Sequence, residues 1–136
     1  MAKPLSILIV DDVASIRAVV ELALQRVGYR VISQPDGLAA ITALKAEPVD
    51  LIITDVLMPK MDGVEFIQHV RQTWPGTPIV AMSGGGERLP GDYCLKTARS
   101  LGAAATLEKP FTDAQLLAAV DNALGKKGRP QSADAA

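Results

Sequence analysis

The chain has a single cysteine, Cys94, so no internal disulfide can close and the fold rests on no covalent staple. An excess of either charge is also missing: 14 Lys and Arg face 15 Asp and Glu, a net charge of −1. That balance makes no electrostatic case for binding nucleic acid or an anionic membrane surface. No apolar run approaches the ~20 residues of a membrane helix. The first apolar run, in "MAKPLSILIVDD", stops at two aspartates, unlike a secretory signal. These absences together point to a soluble cytoplasmic protein. What is present is a chain of 136 residues, 49% apolar and 21% charged, enough for one domain with a real core.

Apolar runs of strand length alternate with helical patterns. "LSILIV" (5–10) is nearly continuous apolar, as in a strand buried on both faces. Ile16, Val19, Val20, Ala23 and Val27 then recur at helical spacing, and Gly28 stops them. "YRVIS" (29–33) reads as a weaker edge strand. Asp36-Gly37 opens a helix through Leu38, Ile41 and Leu44 that closes before Pro48. "DLIIT" (50–54) is another buried strand, and Asp62 suits the cap of a helix carrying Val64, Ile67, Val70 and Trp74. "TPIVAM" (77–82) is a strand, and "SGGGERLPGD" (83–92) reads as a long loop. A helix with Cys94, Leu95, Ala98 and Leu101 follows, then the strand "AATLE" (104–108). Thr112 suits the cap of a last helix with Leu116, Leu117, Val120 and Leu124. From Gly125 onward the pattern is lost, so a domain over 1–125 and a flexible tail over 126–136 are expected.

Five strands and five helices in strict alternation give a doubly wound α/β fold with a parallel sheet. Its default strand order is 2-1-3-4-5, an expectation drawn from such sheets in general. Ligands in these folds bind beyond the carboxyl ends of the strands. Asp11-Asp12 ends the first strand, Asp55 the third, Ser83 the fourth and Lys109-Pro110 the fifth. In that order three carboxylates, a hydroxyl and an ammonium share one rim. Taken singly, each has a commoner explanation: a helix cap for Asp-Asp, a turn for Asp55, a surface turn for Lys-Pro. Their joint placement carries the signal. Clustered carboxylates repel, and a divalent cation relieves the repulsion. Mg²⁺ suits a few carboxylates, waters and a phosphate oxygen. A carboxylate beside Mg²⁺ and a lysine has the makings of a nucleophile toward phosphorus.

At these residues the chain resembles the receiver domain of two-component response regulators, of the stand-alone, chemotaxis-regulator-like type with a flavodoxin-like fold. The motifs are "ILIVDD", "DLIITDVLMPKMDG", "PIVAMSG" and "LGAAATLEKPF", and the match covers about 1–125. The resemblance implies that Asp55 is the phosphoacceptor. It implies that Asp12, Asp55 and the Leu57 carbonyl ligate Mg²⁺ directly, with Asp11 acting through water. Ser83 and Lys109 would bind the phosphoryl group, and the Lys109–Pro110 bond would be cis. Helix 1, with Val13, Ile16 and Arg17, would meet a histidine kinase or histidine phosphotransfer protein as phosphodonor. A monomer that signals to a downstream protein, and turns over no outside substrate, is expected. The starting Met and the tail after residue 125 favour a complete chain without an output domain.

Two features depart from the family pattern. Thr106 stands where the family has Tyr or Phe, which normally turns inward on phosphorylation. The loop after the fourth strand is long and holds Gly84, Gly85 and Gly86. The expectation is that this glycine loop and the helix after it carry the response in place of the aromatic. Leu57 and Gly85 stand where polar side chains often orient water for dephosphorylation, so fast self-hydrolysis is not expected. His69, beside Gln68, is read as a solvated surface residue, not a phosphodonor. Two other readings stay open: a pseudo-receiver that only binds partners, and a haloacid dehalogenase-like phosphohydrolase. The second places another acid two residues after its nucleophile on the first strand, where this chain has Val13.

Overall fold

The computed structural model describes residues 4–56, 63–84, 96 and 99–125. The elements are β1 (Ser6–Val10), α1 (Ala14–Arg26), β2 (Arg30–Gln34), α2 (Gly37–Ala46), β3 (Leu51–Asp55), α3 (Gly63–Thr73), β4 (Ile79–Ser83), β5 (Ala105–Glu108) and, as α4, Asp113–Leu124. The sheet is parallel throughout, in the expected order β2-β1-β3-β4-β5. Four complete helices stand among the described residues, against five expected. The remaining one, over 94–101, lies largely outside them, although Lys96, Arg99 and Ser100 are helical. The expected tail beyond Gly125, Cys94 and the Asp62 cap also lie outside.

Every residue of β1, β3 and β4 is buried, because helices cover both faces of the sheet. Side chains alternate across a strand. Leu8, Val10, Ile52, Ile79 and Ala81 therefore pack on one face against Ala40, Ile41 and Leu44 of α2 and Phe66, Ile67 and Val70 of α3. Ile7, Ile9, Leu51, Ile53, Val80 and Met82 pack on the other against Val20 and Leu24 of α1 and Leu116, Val120 and Leu124 of α4. Each fully buried Val, Leu, Ile, Phe or Met among them contributes roughly 1.5–3 kcal/mol, so the strand ends are held by a stiff frame. Strand β2 lies at an edge and is only partly buried, as expected of its weaker pattern.

Local signals set the helix ends. Asp36 caps α2 by accepting from the Ala39 amide at 2.9 Å. Thr112 caps α4 in a reciprocal pair with Gln115. Gly28, with φ of 99°, follows α1 in a conformation that other residues rarely adopt. Two residues placed on apolar stripes by spacing instead face solvent: Val19 is 60% exposed and Leu38 53%. The buried stripe of α1 is centred on Val20, Ala23 and Leu24, and one residue of offset turns a helical side chain by about 100°. His69 is half-buried with its ring 6.0 Å from that of Trp74, which itself packs on the core, so it is not simply solvated.

Strand register fixes the functional rim. Val10 pairs with Thr54, Asp55 with Met82, and Ser83 with Glu108. Asp11, Asp55, Ser83 and Lys109 therefore stand within about one residue of a common level at the carboxyl edge.

Candidate functional site

Asp11 follows the last residue of β1 and is completely buried; Asp12, next to it, is exposed. Asp55 ends β3 and is 6% exposed. A lysine arriving from beyond β5 joins them. Lys109 Nζ donates to Asp11 Oδ2 at 2.7 Å and to Asp55 Oδ2 at 2.8 Å. Burial alone pulls the Lys109 pKa down, but the hydrogen bonds and charges of Asp11 and Asp55 outweigh it. The net effect holds the ammonium above the usual lysine value, so it is charged throughout the neutral range.

Backbone contacts lock these side chains in place. The Lys109 amide donates to the Ser83 carbonyl at 2.7 Å, which ties the turn after β5 to the end of β4. The Lys109–Pro110 bond is cis. Ser83 is fully buried at the end of β4. Asp11 Oδ1 accepts from the Val13 amide at 2.9 Å, and the Asp11 carbonyl accepts from Arg17 at 2.7 Å. Carboxylate oxygens of Asp11, Asp12 and Asp55 all lie within 4.8 Å of one another. Hard oxygen donors on a rim with one exposed member fit a small divalent cation that keeps several waters. Leu57, whose carbonyl was expected to join them, lies outside the described residues.

The structure thus gathers Asp11, Asp12, Asp55 and Lys109 into one cluster, with Ser83 and Pro110 at its border. It sets Thr106 apart. The Thr106 hydroxyl accepts from Arg99 Nη2 at 3.0 Å, beside an open groove that Gln115, Ala118 and Asn122 also line. Gly84 is exposed, and a Cβ added to it meets nothing within 4 Å; Gly85 and Gly86 lie outside the described residues.

Sequence reasoning underrated Gly63. A Cβ there would stand 2.3 Å from the Asp55 carbonyl oxygen, 2.4 Å from Val56 Cα and 2.6 Å from the Val56 carbonyl oxygen. The Gly63 amide also donates to that Val56 carbonyl at 2.8 Å. The start of α3 therefore lies directly on the backbone that carries Asp55, and only glycine allows the approach. The Asp62-Gly63 pair hinted at a helix start, but nothing in the sequence shows which backbone the glycine meets.

A family model of the response regulator receiver domain matches residues 7–121. This chain belongs to that family, the receivers of two-component signalling. The receiver is 35% identical over 129 residues to the probable chemotaxis protein CheY of Rhizobium etli, covering 92% of this chain and 96% of that one. It is also 35% identical over 129 residues to the probable transcriptional regulator ycf27 of Porphyridium aerugineum, here 93% of this chain and 50% of that protein. The chain spans about half the length of this and similar regulators. Among solved structures, Vibrio cholerae chemotaxis protein CheY4 matches the receiver with a TM-score of 0.80 and 33% identity, over 89% of this chain and 99% of that one. No helix among the described residues is long and apolar enough to cross a membrane.

Proposed function

We propose that this receiver accepts a phosphoryl group on Asp55 from a phosphohistidine partner, a histidine kinase or a histidine phosphotransfer protein, in a Mg²⁺-dependent reaction. The observation that carries this reading is the Lys109 ammonium held between Asp11 and Asp55 at 2.7 and 2.8 Å, beside a trio of close carboxylates.

A carboxylate oxygen of Asp55 attacks phosphorus in line. The P–N bond to the donor histidine breaks, and its electron pair stays on the imidazole nitrogen. The product is an acyl phosphate. Asp11, Asp12, Asp55 and the Leu57 carbonyl are the residues that would hold the cation, Asp11 through water. A bound Mg²⁺ supplies charge that offsets carboxylate repulsion and the negative charge on the phosphoryl oxygens. Lys109 places a fixed positive charge beside Asp55, where charge builds during transfer. Ser83, at the end of the neighbouring strand, offers a hydroxyl to the phosphoryl group once formed. The low polarity beneath the rim, where Val10, Ile53 and Met82 are fully buried, strengthens these interactions.

The response then takes the form of a changed binding surface or of onward phosphotransfer. Thr106 is held by Arg99 instead of offering an aromatic ring, so the signal is proposed to pass through Gly84, Gly85, Gly86 and the segment after them. Treatment of the whole chain with a small phosphodonor and Mg²⁺, followed by intact-mass measurement, tests the core reading. One added phosphoryl group, absent in Asp55→Asn, is expected. No gain in the native chain overturns the proposal in favour of a pseudo-receiver, and steady hydrolysis of a phosphate ester would favour an enzyme.

A further inference from the structure

We infer that Arg17 is a positioning residue for the carboxylate loop, setting the direction in which Asp12 leaves the end of β1. The inference rests on the reading of the acidic rim as a cation site.

Each polar atom of Asp11 has a partner. Its amide donates to the Gln34 carbonyl at 3.2 Å, Oδ1 accepts from the Val13 amide at 2.9 Å, and Oδ2 accepts from Lys109 at 2.7 Å. The fourth, the carbonyl oxygen, accepts from Arg17 Nη1 at 2.7 Å. That bond comes from a side chain six residues further on, inside α1. The Asp11 carbonyl and the Asp12 amide share one rigid plane. Holding the oxygen therefore holds the plane, and with it the backbone angles on which the Asp12 side chain hangs. Asp12 is exposed, so packing does little to aim it, and backbone direction matters more there than at buried Asp11 or Asp55. Arginine suits the task because its flat guanidinium makes short, directed, charge-assisted bonds.

Charge alone predicts the opposite effect. A guanidinium near a cation site repels the cation, so removing it would raise cation affinity if that were its whole influence. Positioning predicts a fall. The sign of the change separates the two.

The experiment measures Mg²⁺ binding to the full chain by calorimetry for the native protein, Arg17→Met and Arg17→Lys. Metal-free backbone spectra of Asp12 and Val13 accompany it. Arg17→Met is expected to bind Mg²⁺ about tenfold more weakly, the low end for residues that orient metal ligands. Arg17→Lys, which keeps the charge and loses the fork, is expected to fall between. The Asp12 and Val13 amide signals should shift in metal-free Arg17→Met. Unchanged or tighter binding in a folded Arg17→Met, or identical amide signals, overturns the inference. Should Arg17→Met fail to fold, Arg17→Gln takes its place with the same expected direction and the same overturning result. A native chain that binds no Mg²⁺ overturns the cation reading alone; the amide comparison still decides the positioning role.

Discussion

Replacing Gly63 by alanine adds one methyl group at the first position of α3, and two physical effects then compete. Helix propensity favours the change: Gly→Ala at a compatible site stabilises by roughly 0.4–1 kcal/mol, mostly through the unfolded chain. Packing opposes it. The added Cβ would meet three backbone atoms of Asp55 and Val56 at 2.3–2.6 Å, where ordinary carbon contacts lie near ~3.5–4 Å. Because all three are backbone atoms, no rotamer change relieves the clash. Overpacking costs ~1–3 kcal/mol and sometimes more, and a triple clash of this depth belongs at or above the top of that range. The net loss is then about 2 kcal/mol or more. For a domain of this size, with a fall of ~4 °C for each kcal/mol, the melting temperature drops by about 8 °C or more. Function should suffer alongside, because relief of the clash displaces the Asp55 carbonyl and so the carboxylate. The assay is a thermal melt together with the rate of phosphoryl gain from a small donor. A Gly63→Ala protein that melts at or above the native temperature and gains phosphate at the native rate would refute the close approach as the reason for glycine.

The same geometry yields further expectations. Lys109→Met leaves the buried Asp11 and Asp55 carboxylates without their shared cation, and in metal-free buffer should cost about 3 kcal/mol, the lower end for breaking a buried pair, measured by denaturant melts. Since the Lys109 pKa is raised, with burial outweighed by its two carboxylate partners, its stabilising contribution is full below the ordinary lysine value of about 10.4 and fades only as pH climbs through the higher folded value. Native melts between about pH 7 and 9 should thus show no step that Lys109→Met abolishes, and such a step would refute the assignment. Backbone shifts with and without a phosphoryl mimic should change over residues 84–95; if that stretch stays still, the glycine-loop route for the response fails.

Much of the site was legible because a parallel sheet buried on both faces writes its strands as continuous apolar runs. The polar residues that close those runs then fall at the rim, Asp11 and Ser83 directly after apolar residues, Asp55 after Thr54 and Lys109 after Glu108, which is why these four stood out. Boundaries shifted slightly: Asp55 and Ser83 are the last residues of β3 and β4, one residue past the stretches 50–54 and 77–82 read as strands. Val19 and Leu38 were misplaced because a stripe read from spacing is wider than the face the sheet covers. The Arg17 bond to the Asp11 carbonyl left no trace in the sequence, since a side chain reaching a backbone oxygen demands no residue type in return.

The order of residues dictated the alternation of strands and helices, the caps at Asp36 and Thr112, and the acids and the lysine that stand at the strand ends. Those signals are local, carried by periodicity and by side chains within a few residues of the backbone they satisfy. Tertiary structure alone decided which of them meet. Lys109 finds Asp11 across 98 residues of chain and Asp55 across 54, and Gly63 is pressed onto the Asp55 carbonyl by the way α3 returns to the sheet. Such contacts arise from register and packing, which place distant segments within 3 Å of one another and have no counterpart in the order of the residues.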